Sequence, residues 1–257
     1  MKTTTPTEKT GGRRDHAGAV FLAGMALVLL VNAAPSFLAR VFMLPADPVR
    51  EELLLKREVP QKALTVLSSS RQKALKWRPM TEAMDDLALA AFALAETEKE
   101  GSSGEKKALE EAIQWQRRSL GRAPANAFGW VRLGHLIIWT QGNPSEAAAA
   151  LARSIDSAPY EPSLSLARLG MAVALLDKLD ADVRRSLPFM VSGAWEYDSD
   201  ELVKAAAENR TLAQVVEKAF ENDPETLTAF REKLSAALPE ESGSQETKRN
   251  GAAQKNR

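Results

Sequence analysis

The feature that most constrains this chain is that part of it repeats. Arg118, Ser119, Ala123 and Pro124 recur as Arg153, Ser154, Ala158 and Pro159, each 35 residues later. Ala112 recurs as Ala147 at the same offset, and Arg132-Leu133-Gly134 recurs as Arg168-Leu169-Gly170, 36 residues on. A period of this length is two helices and their turns. A single helix pair cannot bury its apolar face alone, so such units stack on their neighbours.

Local signals agree with helices. No segment after Leu44 sustains the alternation of a strand. Asp47-Pro48, Asn143-Pro144 and Asp223-Pro224 each put a capping side chain before a proline suited to the first helical position. Met84, Leu87, Ala91 and Leu94 fall on one helical stripe, as do Leu166, Leu169, Val173 and Leu176. Leu212, Val215, Ala219, Leu227, Phe230 and Leu234 continue the pattern. Gly101-Ser-Ser-Gly104 and Gln141-Gly142-Asn143 read as turns, and Pro188 is expected to interrupt a helix around 182–196. The chain is rich in alanine and holds only 2 tyrosines, which favours close-packed helices over sheets.

Trp130-x-x-Leu133-Gly134, Ala147, Leu151 and Pro159, in that order, resemble the tetratricopeptide repeat, whose period is about 34 residues. One extra residue falls in the turn around Gly142. The resemblance is good over 127–160, fair over about 80–126 and partial over 161–197. It implies an all-α array of helix pairs, an α-solenoid, whose first helices line a concave groove. Gly134 and Ala147 would let paired helices approach closely, and Trp130 would fill the space between successive pairs. In that geometry Phe128, Val131, Arg132, His135, Ile138, Trp139, Arg168 and Met171 are the residues expected at a partner.

The N-terminal region adds a second constraint. Residues 17–39 carry no charge, and 23 helical residues reach about 34 Å, enough for a hydrocarbon core of roughly 30 Å. Val31-Asn32-Ala33 before Ala34 passes as a signal-peptidase site, but apolar residues continue through Phe37, Leu38, Val41, Phe42, Met43 and Leu44. That continuation favours an uncleaved transmembrane helix. Lys2, Lys9, Arg13 and Arg14 precede the span, whereas Arg40 and Arg50 follow it. The asymmetry favours a cytoplasmic N-terminus and, in a bacterial inner membrane, a periplasmic body. The expected order is a polar tail at 1–16, the membrane helix at 17–39, a helical lead-in at 46–79, repeats at 80–199, helices at 200–238 and a disordered tail at 239–257. Deleting residues 1–39 is then expected to release a folded body.

The whole layout also resembles the anchored helical proteins of the VpsP type, encoded with bacterial exopolysaccharide genes. The words that carry it are Arg78-Pro79, Trp130-Val-Arg-Leu-Gly134, Arg153-Ser-Ile-x-x-Ala158-Pro159 and Ala167-Arg168-Leu169. This resemblance implies a non-enzymatic accessory role in polysaccharide synthesis or export, with protein partners from that machinery. Two other readings share parts of the pattern. One is a periplasmic assembly factor for cytochrome c or envelope proteins, and the other is a carbohydrate-active enzyme on a helical scaffold.

Composition narrows the chemistry. Lys plus Arg and Asp plus Glu both number 34, so the chain lacks the basic excess of non-specific nucleic-acid binding. There is no cysteine and only His16 and His135, which argues against thiolate chemistry, zinc sites and histidine-based triads. No phosphate-cradling glycine motif or nucleophile elbow occurs, and no cofactor is implied. Asp85 and Asp86 point about 100° apart on a helix and read as a solvated face, not as a catalytic pair. Trp77, Trp115, Trp130, Trp139 and Trp195 read as packing between helices before they read as sugar platforms, with Trp139 the best exception. Arg132 and Arg168, at matching repeat positions, either face a partner's carboxylates or bridge to acidic residues on a neighbouring helix.

Overall fold

The computed structural model describes residues 12–55 and 57–238, with side chains from Gly18 onward. Among these residues the chain forms eleven α-helices and two short 3-10 turns, with no strand. The proposed tail at 239–257 and most of the one at 1–16 lie outside the described residues. The chain divides into two compact units at Arg122–Ala123.

The N-terminal unit holds α1 (Gly12–Met43), α2 (Asp47–Leu54), α3 (Gln61–Trp77), α4 (Thr81–Thr97) and α5 (Ser103–Arg122). α3 packs on both α1 and α4, and α4 packs on α5. α4 therefore has neighbours on two sides, which explains why its buried set is wide: Ala83, Met84, Asp86, Leu87, Ala88, Ala90, Ala91 and Ala95. Small residues let its backbone sit close to both partners.

α1 is long and apolar enough to cross a membrane, with a mean hydropathy of 2.0 over its best window. It is exposed on every side from Gly18 to Ala33. Asn32, the polar residue in that stretch, satisfies its amide by donating to the Val28 carbonyl at 2.8 Å. From Ala34 the helix meets the body. Ala39 and Met43 are buried in a cluster with Ala74 and Ala83, and the 3-10 turn Leu44–Ala46 buries Ala46 against Leu67 and Ala90. The expected boundary between a span ending at 39 and a body starting at 46 is therefore absent. One continuous helix serves as exposed rod and then as core element.

A consequence concerns truncation. A form beginning at residue 34 keeps these contacts. A form beginning at residue 44 loses buried Ala39 and Met43, and its expected cost is about 2–5 kcal/mol, as for deleting a large buried apolar side chain. A urea titration of the two forms checks this through their midpoints. A cut after 39, as the charge pattern suggests, falls inside the packed helix.

The second unit holds α6 (Ala127–Trp139), α7 (Pro144–Ser157), a 3-10 turn at Pro162–Leu164, α8 (Ser165–Ala174), α9 (Ala181–Glu208), α10 (Arg210–Ala219) and α11 (Pro224–Ala237). α6 pairs with α7, α8 touches α6, α7 and α9, and α10 and α11 pack on α9. Leu202, Val216, Phe220 and Phe230 anchor the α9–α11 core, where Trp195 meets both phenylalanines edge-on. Asn143 and Asp223 cap as expected, accepting from the Ser145 and Thr226 amides. Asn126, Asp180 and Asn209 do the same at α6, α9 and α10. The turn after α6 places Gln141 at φ 50, and Gly142 donates back to the Ile137 carbonyl at 2.9 Å.

Two local expectations change. Asp47 does not cap α2. Ala46 takes that position, and the Asp47 carboxylate accepts from Arg71 instead. Pro188 lies inside α9 without ending it. Both Pro188 and Arg184, whose carbonyl loses its partner there, face solvent, so water can satisfy the freed group. The break comes later, at Asp198 (φ −156, ψ 85), whose carboxylate accepts from the Glu201 amide and caps the second half of the helix.

Candidate functional site

The residues expected at a partner do not share one surface. Phe128 and Trp139 are exposed at 52% each, and His135 is exposed between them. Arg132 and Ile138 are half-buried. Val131, Arg168 and Met171 are buried at 5%, 1% and 0%, so they form core and not groove. The spacing explains the split. Phe128, Arg132, His135 and Trp139 stand at i, i+4, i+7 and i+11, one stripe along α6, while Val131 lies on the flank turned inward. The outward stripe carries two large aromatics, a guanidinium and an imidazole.

His135 is more constrained than its exposed edge suggests. Its Nε2 donates to the Ala167 carbonyl across 3.2 Å. Desolvation by surrounding protein lowers its pKa below the ordinary histidine value, against the opposing effect of that hydrogen bond. The neutral ring is the favoured form, so at neutral pH the stripe presents an uncharged imidazole.

Arg168 satisfies neither expectation held for it. Its Nε donates to Ser154 Oγ at 3.0 Å, and its terminal nitrogen donates to the Ser154 and Ala158 carbonyls at 2.7 and 3.0 Å. Its target is the C-terminal end of α7, where unpaired carbonyls concentrate negative partial charge. Burial lowers its pKa from the ordinary value, with Glu161 opposing the shift. The cation is an internal clasp between α7 and α8.

The recurrent serine has a matching structural task. Ser154 Oγ donates to the carbonyl of Ala127, the first residue of α6. Ser119 Oγ donates to the carbonyl of Thr81, the first residue of α4, at 3.4 Å. Both serines are fully buried. In each hairpin the serine late in the second helix ties down the start of the first.

The tryptophans meet the packing expectation in part, with Trp195 set against the α9–α11 core and Trp139 the exposed exception. Trp77 and Trp139 are exposed at 48% and 52%, and the other three are half-buried. Trp130 is half-buried on α6. Its indole N–H donates to the Pro124 carbonyl at 2.7 Å, and the Arg153 guanidinium lies 5.6 Å from the ring. Large amphipathic rings prefer such half-wet positions, because the N–H needs a partner.

The most constrained polar group was not among the candidates. Arg71 of α3 is completely buried. It donates from Nε to Asp86 at 2.7 Å, to the Met43 carbonyl at 2.6 Å and to Asp47 at 2.7 Å. Asp86 is 3% exposed and accepts a second ion pair from Arg50 at 2.8 Å. Ser70 donates to the Phe42 carbonyl at 2.9 Å. Asp86 is thus no solvated surface residue, while its neighbour Asp85 accepts from Gln116 at 3.0 Å. The cluster joins the last turn of α1 to α2, α3 and α4. It supplies donors to the Phe42 and Met43 carbonyls at the end of the long apolar helix and fixes that helix to the body.

Comparison with known proteins supplies no assignment: no family model and no curated protein matches the chain.

Proposed function

We propose that this chain is a membrane-anchored helical adaptor that offers the α6 stripe to a protein partner, as an accessory of exopolysaccharide synthesis or export. The observation that carries the reading is the continuity of α1. Its exposed apolar length suits lipid, and its end is fastened by Arg71 into a folded body. A body held this way is confined to the membrane surface, which raises its effective concentration toward membrane-bound partners. Phe128 and Trp139 supply the exposed aromatic anchors on which protein interfaces commonly depend. The polysaccharide context rests on the VpsP-type resemblance. The charge asymmetry around the span supports an N-terminus in the cytoplasm and a body in the periplasm.

The test is complementation in a strain lacking the gene, read as exported polysaccharide. The full chain restores export. A secreted body beginning at residue 34 does not, and Phe128→Ala/Trp139→Ala loses most of the effect, as expected if each aromatic carries about 2 kcal/mol of partner binding. Full export with the untethered body would overturn the anchoring role. Full export with the double variant would overturn the role of the stripe.

A further inference from the structure

At the base of the exposed part of α1 lies a cleft of roughly 630 Å³. α1 contributes Ser36 and Arg40, the α3–α4 connection contributes Arg78, α4 begins there with Thr81 and Glu82, and α5 ends there with Arg122. Three guanidinium groups thus face one carboxylate. Arg40 pairs with Glu82 at the rim, where both side chains are substantially exposed. Such a pair is weak and readily exchanged. Arg78 donates to Ser36 Oγ, and a guanidinium has five donors, so that bond leaves capacity for another acceptor. Arg122 is exposed. The start of α4 adds partial positive charge, and its capping position is held by Met80, whose side chain makes no capping bond.

The depth of the cleft identifies its ligand. A span of roughly 30 Å needs about 20 helical residues. Counted from Ala17, the first residue of the uncharged run, it ends near Ser36. Arg40 lies about 6 Å further along the helix axis. The headgroup layer occupies about 5–8 Å on each side of the hydrocarbon. With the span set there, Arg40 falls in the headgroup layer, and Arg78 and Arg122 line the same cleft. Apolar surface accompanies them: Phe37 and Leu44 are 68% and 62% exposed, and Trp77, next to Arg78, is 48% exposed. Tryptophan is favoured at that boundary, where its ring meets both phases.

We propose that this cleft binds the phosphate of an anionic membrane lipid, with Arg40, Arg78 and Arg122 as its ligands. The inference rests on the membrane-anchor reading. It adds a lipid-selective site to the anchor and fixes the height of the body above the bilayer.

The experiment uses the full chain in nanodiscs of phosphatidylcholine mixed with phosphatidylglycerol. The lipid retained after release into the gas phase is identified by native mass spectrometry. Phosphatidylglycerol is enriched in the retained fraction, and each arginine removed lowers that enrichment about fivefold. The variants are Arg122→Gln and Arg78→Gln/Arg122→Gln, and Arg210→Gln in α10 is the charge-matched control. Unchanged melting in pure phosphatidylcholine shows that the variants are folded. Equal enrichment in the double variant and the control overturns the site. Equal protection of the detergent-solubilised chain by inorganic phosphate overturns the lipid as the source. Alkaline carbonate extraction separates the two levels of the argument. Release of the chain into the supernatant defeats the anchor and the lipid site together, whereas retention without enrichment defeats the cleft alone.

Discussion

Replacing Arg71 with methionine is expected to cost the N-terminal unit about 3–5 kcal/mol, the range for removing one partner of a buried ion pair. The side chain is fully buried, and methionine fills much of its volume, so the loss is electrostatic more than steric. Asp86 would keep only Arg50, which approaches from a partly exposed side. The Met43 carbonyl and Asp47 would also lose their shared donor. Amide hydrogen exchange along α3 is the suitable measurement, because it reports this unit separately from the second. Asp86→Asn, which leaves the arginine charge in place, should be destabilising in the same direction. Arg71→Met with Asp86→Leu should recover much of the loss, since an apolar pair avoids the desolvation that the ions must overcome. Protection in Arg71→Met within about 1 kcal/mol of the parent would mean that the cluster does not hold α1 to the body.

The same cluster shows what was legible in the amino-acid sequence and what was not. Helices were legible because caps and stripes are local: Asn143, Asp223 and the Met84–Leu87–Ala91 stripe all stand where spacing put them. Asp86 was not, because an adjacent pair of aspartates looks equally polar on both faces of a helix. A signal did exist on the other strand of the interaction. Arg71 stands in line with Leu64, Leu67 and Ala74, an arginine on an otherwise apolar stripe. A buried guanidinium requires an acceptor, and Asp86 is the acidic residue beside Leu87 on the stripe of the next helix. Arg168 carries the same signal among Leu164, Leu169 and Met171, although its acceptors are backbone carbonyls that no side-chain pattern reveals.

The end of the exposed apolar run of α1 was illegible for a different reason. Apolarity does not distinguish lipid from protein interior. Ala39 and Met43 are as hydrophobic as the residues before them, yet they are core. Only tertiary contact with Ala74 and Ala83 separates the two environments. The candidate partner stripe was half legible. The i, i+4, i+7, i+11 spacing of Phe128, Arg132, His135 and Trp139 was there to be read, but the family geometry mixed them with Val131, Arg168 and Met171, which this packing buries.

Tryptophan at position 134 is expected to abolish the cooperative melt of the second unit. A Cβ built on Gly134 would lie 1.9 Å from Met171 Cε and 3.1 Å from its Sδ, with the Ala147 carbonyl oxygen at 3.5 Å. Even alanine must therefore displace the end of Met171, a fully buried though flexible side chain, and the packing cost of about 1–3 kcal/mol is set against about 1 kcal/mol of gained helix propensity. An indole has no such escape, because the Ala147 backbone carbonyl already stands 3.5 Å from the Cβ and cannot turn aside as a side chain can. Met171→Ala should relieve Gly134→Ala, so that the double variant is more stable than the two single losses predict. The repeat itself supplies the control. Gly170 occupies the matching Leu-Gly position, yet a Cβ there meets nothing within 4 Å. Gly170→Ala is expected to be neutral or to stabilise by up to about 1 kcal/mol, through helix propensity and reduced freedom of the unfolded chain. Two glycines in the same repeated word thus differ in expected response by that packing cost, because only the first lies against another helix. A Gly134→Trp protein melting at or above the parent would remove the close approach of α6 to α8 from the account of this fold.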